Sequence, residues 1–125
     1  MRFLTLLLCL ACSKGDSSPH LYGSGAERSL LEKEAVVLDE VLVDAERSGP
    51  VVVQGEIGQV CDLGCWFYLL GQRGVLYVKM DLDSGLVIPG SSVKKRAIVR
   101  GVLQSEGESK TSQGRRLLAE QVLIY

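Results

Sequence analysis

Residues 51–80 read VVVQGEIGQVCDLGCWFYLLGQRGVLYVKM, and this stretch decides the fold. In its first part the side chains of Val51, Val53 and Ile57 fall on one face of an extended chain, as in a half-buried β-strand. Gly55 and Gly58 interrupt that strand. Glycine inside a strand is typical of the bend that lets a small sheet curl, so this pattern predicts a barrel.

Two further apolar runs of strand length follow, Trp66–Leu70 and Val75–Met80, and the four residues 71–74 between them predict a hairpin turn. Residues 96–103 and 117–125 have the pattern of two more strands. Short strands with glycine-rich bends are typical of a small sandwich or a barrel, and the strand count favours the barrel. The sequence therefore predicts a mainly β domain, a five-stranded, partly open OB-like barrel.

One short helix is expected ahead of the barrel. Apolar residues recur there at helical spacing, Asp39 is a candidate N-cap, and the helix is expected to end near Arg47. Residues 35–37 could form a short strand before it. The predicted OB-like domain spans residues 28–125.

The N-terminus is typical of an export signal. Met1-Arg2 is basic, and residues 3–11 are apolar apart from Thr5, a run too short to span a bilayer. Ala11-Cys12 then places a small residue before a cysteine, which resembles the lipobox of bacterial lipoproteins. The resemblance implies that signal peptide 1–11 is removed and that Cys12 becomes a lipid-modified N-terminus. It places the protein in the cell envelope, facing the periplasm or the cell exterior.

Residues 12–27 are small, polar and rich in glycine and serine, so they predict a flexible tether between the lipid and the domain. The single histidine of the chain, His20, falls within this tether. A solvated tether residue is the expected role of His20.

The most specific motif is Val60-Cys61-Asp62-Leu63-Gly64-Cys65-Trp66-Phe67-Tyr68-Leu69. Together with Gly55, Val87-Ile88-Pro89 and Val99-Arg100-Gly101-Val102, it resembles a family of small exported bacterial proteins that carry a Cys…Gly-Cys-Trp segment. Their OB-fold-like domain has no assigned function. The likeness covers about residues 36–125, and it implies the fold and the extracytoplasmic compartment without an activity.

Cys61 and Cys65 are the candidate reactive pair. They lie in the predicted turn between the first two strands, where two Cα atoms can come within disulfide reach, and an oxidising compartment favours the disulfide. Binding of a soft metal such as Cu(I) and thiol-redox exchange are the alternatives. Exchange needs a lowered thiol pKa, and no lysine or arginine lies between Gln54 and Gln72 to lower it. A structural disulfide is therefore the preferred prediction.

Two groups of side chains could form a contact surface. The aromatic residues of the second and third strands are candidates for a ligand face or for the core, and at least half of them are expected in the core: Trp66, Phe67, Tyr68 and Tyr77. A basic group late in the chain is a candidate contact patch, formed by Lys94, Lys95, Arg96 and Arg100, with Arg115 and Arg116 adding to it.

Charge and composition exclude several functions. The formal net charge of −1 argues against binding nucleic acid by bulk electrostatics. With His20 in the tether, the domain has no histidine for a Ser-His-Asp triad, and no phosphate-binding loop is present in the sequence. We therefore expect a non-catalytic, membrane-tethered binding module whose partner is an envelope protein or glycan. The alternative is a metal-handling or thiol-redox protein that acts through Cys61 and Cys65.

The lipobox resemblance generates the first prediction. Replacing Cys12 with serine removes the sulfur that would carry the lipid, so Cys12→Ser should yield uncleaved or soluble protein. Membrane fractionation and N-terminal mass analysis of both forms measure this. Wild-type protein that is soluble and begins at Met1 would contradict the prediction.

Overall fold

The computed structural model describes residues 19–105 and 115–125. Within these residues it contains seven strands, two helices and two short 3-10 turns at Leu82–Ser84 and Gly90–Ser92. In chain order the strands and helices are β1 (His20–Gly23), α1 (Arg28–Glu34), β2 (Val36–Val37), α2 (Leu38–Val43), β3 (Gly49–Val60), β4 (Trp66–Leu70), β5 (Val75–Met80), β6 (Arg96–Ser105) and β7 (Arg115–Ile124).

Five of these strands form a closed barrel in the order β3-β4-β5-β7-β6 and back to β3. All neighbouring pairs are antiparallel except β5 and β7, which run parallel with Tyr77 opposite Arg116 and Met80 opposite Ala119. This connectivity is that of an OB-fold, so the predicted mainly β, five-stranded OB-like barrel is confirmed. The barrel is closed where a partly open one was expected, because the β5–β7 ladder joins its two edges.

The predicted bend lies in β3. The register between β3 and β4 shifts between Ile57 and Val60, and Gly58 lies within the shift. Gly55 lies just before it, where the backbone comes so close to β4 that a Cβ atom would be 2.8 Å from the carbonyl oxygen of Leu70. Glycine therefore allows β3 to curve from its pairing with β6 into its pairing with β4.

Most of the core fills the interior of the barrel. Alternate residues of the five strands point inward, and α2 adds Leu38 and Val41 to one end of the same cluster. The fully buried members include Val53, Ile57, Phe67, Leu69, Val78, Val99, Leu117 and Val122.

The structure has a second helix, α1, which the sequence analysis did not predict. Its Leu31 is fully buried and covers the outside of the barrel, where it packs against Val52, Ile98 and Leu123. The apolar residues on the outer faces of β3, β6 and β7 are thus buried beneath α1.

The predicted role of Asp39 as an N-cap is wrong. Helix α2 begins at Leu38 with Val37 in the N-cap position, and it ends at Val43 rather than near Arg47. The Asp39 carboxylate instead accepts hydrogen bonds from the backbone N–H groups of Gln72 and Arg73, at 3.1 and 2.9 Å. It therefore fastens the β4–β5 turn to α2.

Part of the predicted tether belongs to the folded domain. His20–Gly23 form β1, which pairs antiparallel with β7 so that His20 lies opposite Ile124. The buried side chain of Gln121 then holds the next residues, since its amide exchanges two hydrogen bonds with the backbone of Ala26, at 2.9 and 2.8 Å. His20 is exposed to solvent, as predicted, but its assignment to a flexible tether is wrong because it lies in β1.

Several predictions concern residues outside the described ranges. Signal peptide 1–11, the lipid-attachment residue Cys12 and the tether as far as residue 18 are among them. No helix among the described residues is long and apolar enough to cross a membrane.

The close approach at Gly55 generates the second prediction. Gly55→Ala should lower the free energy of unfolding by about 1–3 kcal/mol, because the new methyl group would overlap Leu70 and Leu69. Gly90→Ala is the matched control, since no atom lies within 4 Å of a Cβ built there. Urea unfolding of both variants measures the difference. Equal stability of the two would contradict the close approach.

Candidate functional site

Residues 61–65 form the loop between β3 and β4. The backbone N–H of Cys61 donates to the Trp66 carbonyl at 2.9 Å, and that of Gly64 donates to the Cys61 carbonyl at 2.8 Å. Gly64 has φ +77°, and a Cβ atom there would overlap the carbonyl oxygen of Ile88. Only glycine fits this position without strain or displacement of Ile88.

The same loop is bonded to the chain segment that joins β5 to β6. The backbone N–H of Ile88 donates to the Gly64 carbonyl at 3.1 Å, and that of Met80 donates to the Cys65 carbonyl at 3.0 Å. Backbone hydrogen bonds therefore fix the position of both cysteines without any covalent link between them.

The sulfur atoms of Cys61 and Cys65 lie 3.5 Å apart. Both residues are free thiols and both are half-buried. A disulfide bond is about 2.05 Å long, so the preferred sequence prediction, a disulfide, is not formed in this structure. The two sulfurs instead share a hydrogen bond in which the Cys65 thiol donates to Cys61.

The surroundings of the two thiols shift their pKa values in opposite directions. The backbone N–H of Leu63, aided by the Cys65 thiol and by the N–H groups of Cys65 and Gly64, lowers the pKa of Cys61. The pKa of Cys65 is raised, first because its proton is held in the bond to Cys61 and then by desolvation. The expectation that nothing near the pair lowers a thiol pKa is wrong, because backbone amides do so in the absence of a nearby loop cation.

The pair could hold a soft metal ion. Two thiolates suit Cu(I), and Cys61 and Cys65 are the residues that could supply them. No group of three or more histidine, cysteine, aspartate or glutamate side chains is placed to bind a metal in residues 19–105 and 115–125. Tetrahedral zinc needs four ligands, which this part of the chain does not assemble.

A cluster of three aromatic rings lies on the outer face of β4 and β5, beside the cysteine loop. The ring centroids of Trp66, Tyr68 and Tyr77 are 5.5–5.9 Å apart, and all three residues are half-buried. Phe67 alone of the four predicted aromatic residues enters the core. The expectation that at least half of them are core residues is therefore wrong, and we call Trp66, Tyr68 and Tyr77 the aromatic face.

Charged residues border the aromatic face. Lys79 lies opposite Trp66 on β5, and Arg116 lies opposite Tyr77 on β7. Beyond them is an open groove of about 620 Å³ that Lys79 and Arg116 share with Asp81, Asp83 and Glu120. A second depression of about 490 Å³ lies on the other side, and its lining includes Tyr68, Tyr77, Arg73 and Val43. The aromatic face thus lies between two concave, partly charged surfaces.

The predicted basic residues do not form one open patch. Arg100 pairs with the Glu120 carboxylate at 2.8 Å and donates to Gln121 at 2.6 Å. The Arg96 guanidinium lies over the Tyr125 ring, 4.1 Å from its centroid. Lys94 and Lys95, just before β6, are exposed.

Arg115 is a structural residue. It is buried, and its guanidinium donates to the backbone carbonyls of Leu42, Asp44 and Arg47 at 2.8–3.3 Å. These are carbonyls at and just after the end of α2, so Arg115 caps that helix and takes no part in a basic surface.

Comparison of the chain with models of protein families and with curated proteins finds no match. The functional interpretation therefore depends on the two features described above, the dithiol loop and the aromatic face.

The hydrogen-bonded loop generates the third prediction. In reductant, the free energy of unfolding of Cys61→Ala/Cys65→Ala should lie within about 0.5 kcal/mol of the wild type, because backbone bonds hold the loop. Oxidised wild-type protein should be up to about 2 kcal/mol more stable than either, by closure of a five-residue loop. Urea unfolding followed by Trp66 fluorescence measures all three. A reduced wild type that no longer folds would contradict the prediction.

Proposed function

We propose that this protein is a non-catalytic, membrane-tethered OB-like binding module of the cell envelope, and that the aromatic face binds its ligand. The observation that carries the proposal is the contact of three aromatic rings on the solvent side of β4 and β5. This is the face on which OB-folds hold oligosaccharides and oligonucleotides.

The position of these rings is informative because the core does not need them. The interior of the barrel is filled by aliphatic residues and Phe67. Aromatic side chains left half-buried on the outside retain apolar area that a ligand could cover. Three such rings side by side form a surface on which flat, partly apolar groups can stack.

A glycan of the cell envelope is the ligand class that these features favour. The C–H face of a sugar ring can pack on aromatic rings, and the exposed Lys79 stands beside them for hydroxyl or acidic substituents. The formal net charge of −1 provides little of the electrostatic attraction that nucleic-acid binding requires. The export signal proposed for residues 1–11 would also place the protein among envelope glycans.

The membrane tether rests on the resemblance of Ala11-Cys12 to a lipobox and on the likeness to small exported lipoproteins with a Cys…Gly-Cys-Trp segment. A single acyl chain gives marginal membrane binding, so stable anchoring requires the diacylglycerol that such cysteines carry. The proposed arrangement is an OB-like domain held close to a membrane surface, with its aromatic face open to the envelope.

A second candidate function is soft-metal handling by Cys61 and Cys65, which the 3.5 Å distance between their sulfurs favours. Added Cu(I) should then raise the melting temperature of the reduced protein, since a ligand that binds only the folded state stabilises it. An unchanged melting temperature would exclude this function.

The aromatic face generates the fourth prediction. Tyr68→Ala and Tyr77→Ala should each weaken oligosaccharide binding about tenfold, the effect of losing one well-packed aromatic contact. Leu30→Ala is the control, because Leu30 is an exposed apolar residue on α1, outside the aromatic face. Soluble oligosaccharides released from cell walls are titrated into each form, and the fluorescence of Trp66, the single tryptophan, reports binding.

The titration has clear contrary outcomes. Equal affinity of the tyrosine variants and the wild type would show that the aromatic face is not the binding surface. Stronger binding of a single-stranded oligonucleotide than of any oligosaccharide would overturn the assignment to glycans.

A further inference from the structure

We propose that Cys61 and Cys65 form a thiol–disulfide exchange site, in which Cys61 attacks an accessible disulfide of another molecule and Cys65 resolves the mixed disulfide. This activity goes beyond the proposed binding module: ligand binding on the aromatic face is non-catalytic, and the covalent chemistry belongs to the dithiol loop alone. It assigns different roles to the two cysteines, and three features of the structure support that assignment.

The first feature is the geometry of the two sulfurs. At 3.5 Å they are in van der Waals contact, and closing the disulfide requires an approach of only about 1.5 Å. The Cys65 thiol points its proton at Cys61, so Cys61 is the sulfur on which negative charge is stabilised. A resolving thiol is thus already in contact with the attacking one.

The second feature is the set of backbone amides around Cys61. The N–H groups of Leu63, Gly64 and Cys65 all act on the Cys61 sulfur, and Gly64 needs its positive φ for the loop to turn in this way. Backbone N–H groups directed at a sulfur favour its anionic form. They lower the pKa of Cys61 and so raise the fraction of thiolate, which is the attacking species.

Few charged side chains face the pair. Asp62 lies within the loop and is exposed. The charge of Lys79 on β5 acts to lower the pKa of Cys65, against the larger effects that raise it. Neither accounts for the lowered pKa of Cys61, which the loop backbone provides.

The third feature is access without loss of structure. Leu63 at the tip of the loop is 80% exposed, and both cysteines are reached by solvent. Backbone hydrogen bonds to Ile88 and Met80 hold the loop whether or not the sulfurs are joined. An exchange site must be stable in both redox states, and these bonds hold the loop in the dithiol state without a disulfide.

The reaction balances in two steps. The Cys61 thiolate attacks one sulfur of a partner disulfide RS–SR′, forming Cys61–S–S–R and releasing R′S⁻, which takes a proton from solvent. The Cys65 thiol then loses its proton and attacks the Cys61 sulfur, forming the Cys61–Cys65 disulfide and releasing RS⁻. The protein dithiol is oxidised and the partner disulfide is reduced to two thiols.

The test uses the full chain, with oxidised glutathione as the probe and acid quenching. Trypsin releases both cysteines on one peptide, residues 48–73, which contains no other cysteine, so mass spectrometry follows this site alone. Wild-type protein should form the internal disulfide with a transient glutathione adduct. Cys65→Ser should accumulate the adduct on Cys61.

Cys61→Ser is the matched control. At pH 7 it should form an adduct on Cys65 more slowly than Cys65→Ser forms one on Cys61, because burial still desolvates the Cys65 thiol and the Leu63 N–H still favours the Cys61 thiolate. The difference between the two adduct rates should shrink as the pH rises and Cys65 ionises, because Cys61 reacts faster only through its lower pKa. A second arm replaces glutathione with a disulfide-bonded peptide, and the faster probe shows whether the partner is a small molecule or a polypeptide.

Three results would overturn the proposal. Equal adduct rates for the two variants would remove the distinct roles of the cysteines. A Cys61–Cys65 disulfide that stays closed in excess reduced glutathione would make the pair a structural link. Isolation of the native protein with Cu(I) on both thiols would make it a metal site. Each result is independent of whether the aromatic face binds glycans.

Discussion

The parallel ladder between β5 and β7 is the constraint on which the rest of the structure depends. It pairs Tyr77–Met80 with Arg116–Ala119 and so closes the barrel around its aliphatic core. The same ladder places Arg116 of β7 opposite Tyr77 of β5, so Arg116 lies next to the aromatic rings on the outer face of the barrel. Since residues alternate along a strand, burying Leu76, Val78 and Met80 obliges Tyr77 and Lys79 to point outward. The alternation of side chains along β5 therefore produces both the core and the candidate binding face.

Much of the barrel could be predicted from the sequence, because alternation, strand length and glycine bends are local signals. The elements that were missed depend on distant partners. The four residues His20–Gly23 become a strand only because β7 offers its edge and the buried Gln121 amide holds the chain that follows. Helix α1 has one fully buried residue, Leu31, so its amphipathic pattern is weak. Likewise, nothing near Asp39 in sequence shows that its carboxylate binds a turn 33 residues away.

The residues of the candidate site could be predicted from the sequence, but the different pKa values of the two cysteines and the direction of the aromatic rings could not. Cys61 and Cys65 were found from their motif, yet the groups that distinguish them are backbone N–H donors, which composition does not reveal. The run Trp66-Phe67-Tyr68 is apolar at every position, so its alternation could not tell which rings face outward. The pairing of Tyr68 with Tyr77 places both on one face, and the burial of Phe67 on the other face makes theirs the solvent side.

The pairing of β1 with β7 also determines at which end of the barrel the chain that precedes β1 arrives. His20 lies opposite Ile124, so the chain joins the barrel at the end where β7 stops, β6 begins and the loop of Cys61 and Cys65 is found. A lipid on Cys12 would leave seven residues, 13–19, before that end, a reach of at most about 25 Å. That reach would keep this end of the domain, with the exposed Lys94 and Lys95, near the anchor that Cys12 is proposed to carry. The position of β1 on β7 therefore determines which end of the domain would lie toward that anchor.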